Sequence, residues 1–268
     1  MTGHRTPNYG RGGFTRLDLM AVLAGGMVLA GLLGFQLLGE RGRTARCARN
    51  LAVLGQAMQG FAADHEGALP PAVVTTTEVS WSFLIAPYVP GATAVSNTPA
   101  AKWEWEETIR DRLVCPSDRV LRGYPRSYAM PAHDMKLESW PPNGAEYCGV
   151  GLVWDADTMK RLLNRATTSE TPTDVTGLVW IKPASLPDPA NTLLLTELIH
   201  PGNKLKSGGC AVVNGPEEQV EGVKNQGGRV HSGRFHYLMV DGHVELLRPY
   251  QAETFSRSAG VWTMRKGD

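Results

Sequence analysis

From Leu19 to Leu38 the chain reads LMAVLAGGMVLAGLLGFQLL, twenty residues without a formal charge. Such a run satisfies its own backbone polar groups most readily by coiling into a helix. At 1.5 Å per residue that helix is roughly 30 Å long, the thickness of a hydrocarbon core. A cleaved secretory signal has a shorter apolar core, about 7–15 residues, followed by a cleavage site. Here the run leads into more helix-compatible sequence, so we expect a retained transmembrane helix over 19–38. Charge does not orient it. Arg5, Arg11 and Arg16 precede the run, and Arg41, Arg43, Arg46 and Arg49 follow it, which leaves the positive-inside bias near balance.

Beyond the run, Cys47, Leu51, Leu54, Met58 and Phe61 recur at spacings of four, three, four and three. That is one apolar stripe on a helix, flanked by Arg46, Arg49, Asn50, Gln56 and Gln59. Gly67 suits a C-cap, and Pro70-Pro71 forbids continuation. No proline lies between Phe14 and Ala68, so span and stripe can form one helix roughly 75 Å long. A break near Gly39–Gly42 is the alternative. Gly26, Ala30 and Gly34 form a small-xxx-small face that permits close helix packing.

Immediately before the run stands Gly13-Phe14-Thr15-Arg16-Leu17-Asp18. A carboxylate at the edge of an apolar helix calls for a cationic partner, which makes Asp18 a functional candidate; the helix macrodipole also favours an acid there. This arrangement, a short basic leader ending in Gly, then Phe, an acid at the fifth position and an apolar helix, resembles a type IV prepilin or pseudopilin. The resemblance implies cleavage by a prepilin peptidase between Gly13 and Phe14, and N-methylation of Phe14. It also implies that Asp18 neutralises the Phe14 ammonium of a neighbouring subunit during assembly. The family usually has Glu where Asp18 stands and an apolar residue where Arg16 stands.

Composition bounds the remainder. With 27 Lys+Arg against 26 Asp+Glu and no dense basic run, the chain lacks the electrostatic footprint of a general nucleic-acid binder. A hydrophobic content of 42% excludes a disordered chain, while 30 Gly and 18 Pro point to a loop-rich domain. Residues 90–102 read as loop and Thr158–Ala166 as a short helix capped by Asp155 or Asp157. Val175–Ile181 and Thr192–Ile199 read as strands, and 200–228 as irregular. Asp241-Gly242 between two strand-like runs predicts a two-residue type I′ hairpin. Its register sets Val240 opposite His243, Met239 opposite Val244 and Tyr237 opposite Leu246. Phe235, Tyr237, Met239, Val244 and Leu246 then form the core face, leaving His236, Leu238, His243 and Glu245 on the other.

His231 precedes Asp241 by ten positions, giving His-x9-Asp-Gly. With the leader, this resembles the H-X9-DG prepilin-like proteins (DUF1559-like). Cys47-Ala-Arg-Asn-Leu51, Gly67-Ala-Leu-Pro-Pro71, Leu113-Val-Cys-Pro-Ser-Asp118, Ser127-Tyr128 and Asn191–Glu197 resemble further segments of that family. Catalysis by His231 and Asp241 finds little support: no G-x-S-x-G elbow exists, and the turn already accounts for Asp241 and Gly242. A metal site made of His231, His236 and His243 is disfavoured. In the expected hairpin, His236 lies roughly 13 Å along the strand from the position opposite His243. His231 is read as a structural hydrogen-bonding residue that pins the loop entering the hairpin. Asp155, Asp157 and the 200–228 loop could supply oxygen ligands to a structural Ca2+; no other cofactor is expected. Of the four cysteines, Cys115 and Cys148 are the expected disulfide pair in an oxidising compartment, with Cys47 a buried apolar residue.

The combined expectation is an α+β protein: a prepilin leader over 1–13, a long pilin-like helix over 14–67 with 19–38 transmembrane, and a loop-rich domain with an antiparallel sheet over 68–268. It would be a non-enzymatic pseudopilin-like subunit of a type II secretion or type IV pilus-like assembly, single-pass in the bacterial inner membrane with its domain periplasmic. Its partners would be prepilin peptidase, other pilin-like subunits, secretion or pilus assembly proteins and membrane lipid. The alternative is a signal-anchored extracytoplasmic binding domain that does not polymerise.

Overall fold

The computed structural model describes residues 16–74, 79–92, 108–133, 149–154, 181–205, 211–213, 215–224, 230–249 and 262. The chain divides into two compact units, Met1–Gly42 and Arg43–Asp268. Helix α1, Arg16–Asp64, is a single helix of 49 residues, unbroken at Gly39–Gly42. In the first unit Leu19, Met20, Val22 and Leu23 are exposed. Asp18 lies within α1 with its side chain outside the described residues, and Gly13 and Phe14 lie outside them altogether.

Among the described residues no helix is long and apolar enough to cross a membrane. This corrects the expected transmembrane half of the helix and, with it, the single-pass inner-membrane location.

In the second unit the apolar stripe is buried as its spacing requires: Cys47, Leu51, Leu54 and Met58 are fully buried, and Phe61 nearly so. The helix stops through chemistry legible in the sequence. The Gly67 N–H donates to the Ala62 carbonyl at 2.8 Å, and Gly67 holds φ +81°, a conformation glycine adopts without steric cost.

The stripe packs on a five-stranded sheet of order β6-β3-β5-β7-β8, where β3 is Tyr128–Pro131, β5 Leu193–Glu197, β6 Val212–Val213, β7 Phe235–Met239 and β8 Val244–Leu247. The β3–β6 pair is parallel and the other pairs antiparallel, so the sheet is mixed, not antiparallel as expected. A smaller sheet joins β2 (Val79–Ser80), β1 (Val73–Val74) and β4 (Val153–Trp154). Short helices α2 (Trp81–Ile85) and α3 (Arg110–Leu113) precede β3, and α4 (Pro216–Lys224) falls within the stretch read as irregular. The fully buried Arg126 ties the region of β2 to the larger sheet. Its guanidinium donates to Ser80 Oγ at 2.7 Å, Ser82 Oγ at 3.1 Å and Asn203 Oδ1 at 2.8 Å. The expected helix over 158–166 lies outside the described residues, as does most of the expected strand over 175–181.

The hairpin forms where Asp-Gly marks it, but one residue out of the expected register. Leu238 pairs with Val244, Tyr237 with Glu245 and His236 with Leu246. The cause is a three-residue loop, Val240-Asp241-Gly242, closed by Met239 N–H to the His243 carbonyl at 2.9 Å and Gly242 N–H to the Met239 carbonyl at 2.9 Å. Only Gly242 has positive φ, +98°, which is a type I turn followed by a glycine bulge. Asp241 Oδ1 accepts the His243 N–H at 3.0 Å, so the aspartate stabilises the turn from its side chain rather than by adopting positive φ itself. The assignment of faces also changes. Strand β7 is buried on both sides: Phe235, Tyr237 and Met239 join Ala129, Leu193 and Trp262, while Leu238 and Val240, expected on the polar face or at the turn, join the core with Leu51 and Leu54 of α1.

Helix and sheet approach closely at Gly55. A Cβ there would lie 3.1 Å from both δ carbons of Leu238, so a branched side chain overfills the interface. Gly55→Val is expected to lower stability by about 1–3 kcal/mol, read as a lower urea midpoint at unchanged m-value.

Candidate functional site

One group of buried polar residues in the second unit, His231 and His236 among them, converges on a single carboxylate. Strand β5 runs through three leucines and Thr196 to its last residue, Glu197, which is fully buried. Glu197 Oε2 accepts the backbone N–H of His236 at 2.8 Å and lies 3.3 Å from His236 Nδ1. Its Oε1 lies 3.0 Å from His231 Nε2. The two imidazole rings meet edge to face with centroids 4.7 Å apart. Burial alone would raise the carboxyl pKa, but the hydrogen bonds and charges of His231 and His236 outweigh it and hold Glu197 at about 2.

His231 reaches this position from an unusual backbone. It holds φ +46°, and Ser232 and Gly233 follow at +60° and +83°. The left-handed region costs a non-glycine residue roughly 1–2 kcal/mol; here the imidazole is held at both nitrogens. Nδ1 lies 3.1 Å from Thr44 Oγ1 of α1, and Nε2 lies 3.3 Å from Cys115 Sγ as well as beside Glu197. The sequence reading of His231 as a hydrogen-bonding residue matches this geometry, although its partners are on α1, β5 and the Cys115 loop.

Cys115 is disulfide-bonded to Cys47 of α1, 68 residues earlier. This corrects the expected Cys115–Cys148 pair: the apolar stripe carries Cys47 to a Cα separation of 5.3 Å from Cys115, and Cys148 lies outside the described residues. The Tyr128 hydroxyl donates to Cys47 Sγ at 3.4 Å. The Cys-Pro-Ser-Asp turn is fixed from below. Cys115 N–H donates to Ser127 Oγ at 2.9 Å, the Ser127 hydroxyl donates to Asp118 Oδ2 at 2.6 Å, and Arg122 pairs with Asp118 at 2.6 Å while both are almost entirely buried. Asn50, one turn beyond Cys47, donates to the carbonyls of Asp111 and Val114 at 3.2 and 3.3 Å.

The result is a sealed cluster: ligand atoms of Cys47, Glu197, His231 and His236 all lie within 4.8 Å of one another. His243 stands apart, exposed, with Nδ1 2.6 Å from Asp241 and Nε2 3.5 Å from Glu245. The three histidines therefore do not share a site, as the spacing argued, but His231 and His236 do meet. Asp241 and Gly242 serve the turn. Asp155 and Asp157 lie outside the described residues. Sequence reasoning missed Glu197, His236 and Thr44 as site residues, and read Cys47 as apolar only. One signal was present: an acid closing a strand that opens on three leucines must find buried partners. No family model, curated protein or solved structure matches the chain.

Because the Glu197 pKa is depressed, its stabilising contribution is complete above the ordinary carboxyl value of 4.5 and is lost as pH falls towards about 2. We expect Glu197→Gln to cost about 3–5 kcal/mol at neutral pH, since it leaves the buried imidazoles without their anion. The variant should also lose the part of the acid dependence that falls in that pH window. Urea titrations of both proteins at pH 7 and pH 3 check both statements.

Proposed function

We propose that the chain is a pseudopilin-like structural subunit of a type II secretion or type IV pilus-like assembly. The observation that carries this reading is α1: one helix of 49 residues whose second half is the central core element of an α+β unit and whose first half exposes Leu19, Met20, Val22 and Leu23. A contiguous exposed apolar surface on a helix marks an interaction site, and Gly25 and Gly26 beside it have open space around them, which admits a close helix neighbour. The Gly13-Phe14 junction and the acid at Asp18 supply the processing and pairing chemistry such a subunit needs. In this reading the disulfide and the Glu197 network hold the domain on its helix while neighbouring subunits pack along α1.

Processing is the decisive test. Co-expression of the full chain with a prepilin peptidase is expected to yield a product that begins at N-methylated Phe14, seen by intact mass and N-terminal sequencing. An unchanged amino terminus with and without the peptidase overturns the reading. In the processed protein, Asp18→Ala should abolish co-assembly with other pilin-like subunits, measured by cross-linking through cysteines placed on α1, while leaving the thermal melt unchanged.

A further inference from the structure

We infer that the cluster beneath α1 is a redox-gated metal site: with Cys47 and Cys115 reduced, it takes one soft or borderline divalent cation of the Zn2+ class in place of the disulfide. This does not rest on the assembly reading above.

The donor set is the first argument. Cys47 Sγ, Cys115 Sγ, His231 Nε2 and Glu197 Oε1 come from four separate segments and meet at one point. His231 Nε2 is 3.3 Å from Cys115 Sγ and 3.0 Å from Glu197 Oε1, and Cys47 Sγ is bonded to Cys115 Sγ. A tetrahedral ion with ligands at about 2.0–2.3 Å needs donor atoms separated by roughly 3.3–3.8 Å. The cluster already has that scale, so little movement is needed once the sulfur atoms separate. Two thiolates, an imidazole and a carboxylate suit Zn2+ and its surrogate Co2+ rather than Ca2+ or Mg2+.

The second argument is the surrounding shell. A metal-bound imidazole needs its other nitrogen fixed, and His231 Nδ1 faces Thr44 Oγ1 at 3.1 Å. The carboxylate needs its second oxygen held, and Glu197 Oε2 is bonded by the N–H of His236 at 2.8 Å. Tyr128 O–H addresses Cys47 Sγ at 3.4 Å. All of these residues except Thr44 are buried. A purely structural disulfide requires none of this polar apparatus around its sulfur atoms.

The chemistry balances as follows. A cellular dithiol, or a phosphine in vitro, delivers two electrons to the Sγ–Sγ bond. The bond breaks and two thiols form: a dithiol supplies both hydrogens as it becomes a disulfide, whereas with a phosphine one water supplies both hydrogens and the oxygen of the phosphine oxide. The cation then displaces the two thiol protons and the Nε2 proton that His231 shares with Glu197, leaving the Nδ1 side toward Thr44, so metal uptake releases protons and strengthens as pH rises.

The test uses the full chain, with Co2+ as the probe. Protein reduced anaerobically with a phosphine and then freed of it is titrated with Co2+. One equivalent is expected to bind, with thiolate-to-cobalt absorption in the near ultraviolet and tetrahedral bands in the visible, and Zn2+ should bleach both. The oxidised protein should show neither. Cys115→Ser should at least halve the charge-transfer band, the double variant Cys47→Ser with Cys115→Ser should remove it, and His231→Gln should weaken Co2+ binding at least tenfold. No cobalt–thiolate band in reduced protein that keeps its circular dichroism overturns the proposal. So does equal binding by oxidised protein, or loss of the fold on reduction that Zn2+ does not restore, because the metal must be able to replace the covalent link.

Discussion

A carboxylate removed from water must be surrounded by donors, and the placement of Glu197 at the inner end of β5 imposes that condition on most of the second unit. Its two oxygens draw in the backbone and ring of His236 from β7 and the ring of His231 from the loop before it. His231 in turn engages Thr44 of α1 and Cys115, and Cys115 is bonded to Cys47 one turn further along the same helix. Helix, central strands and the Cys115 turn are thus held by one continuous set of polar and covalent links beneath an apolar stripe. The apolar contacts supply most of the stabilisation, since they are far more numerous. They are nearly indifferent to a helix sliding by a turn, whereas the polar links are not.

The parts of this structure that could be read from the sequence are those governed by local rules. The stripe of Cys47, Leu51, Leu54, Met58 and Phe61, the stop at Gly67 and Pro70-Pro71, and the existence of a hairpin at Asp241-Gly242 each follow from periodicity or from one residue's dihedral preference. The hairpin register failed for an instructive reason. Asp-Gly is compatible with a two-residue turn and with a type I turn followed by a glycine bulge, and the choice depends on what the loop touches. Val240 N–H donates to the Thr192 carbonyl, and Asp241 N–H to that of Pro189. Those contacts lie some fifty residues upstream and are invisible to a local pattern.

The same limit explains the cluster. Cys47 was correctly placed on the buried stripe, but a stripe says nothing of what lies opposite, and the partner proved to be Cys115. His236 was assigned to an exterior face because strand alternation presumes one wet side; β7 is interior on both. Glu197 required knowing that β5 lies at the centre of the sheet. The twenty-residue apolar run was over-read in the other direction: length and lack of charge dominated the expectation, and among the described residues no helix of that character is found.

The link between Thr44 and His231 spans 187 positions of the chain. Contacts of such sequence separation carry a loop-closure penalty that must be met before they contribute, and they slow folding. A ribosome releases Thr44 long before His231, so the side of the α1 stripe that Leu238 and Val240 cover stays open until β7 and the loop before it have been synthesised. The domain therefore cannot close vectorially from its amino end. Any chain interrupted between β5 and β7 would leave uncovered the part of the stripe that Leu238 and Val240 close, a target for holding chaperones and for proteolytic clearance.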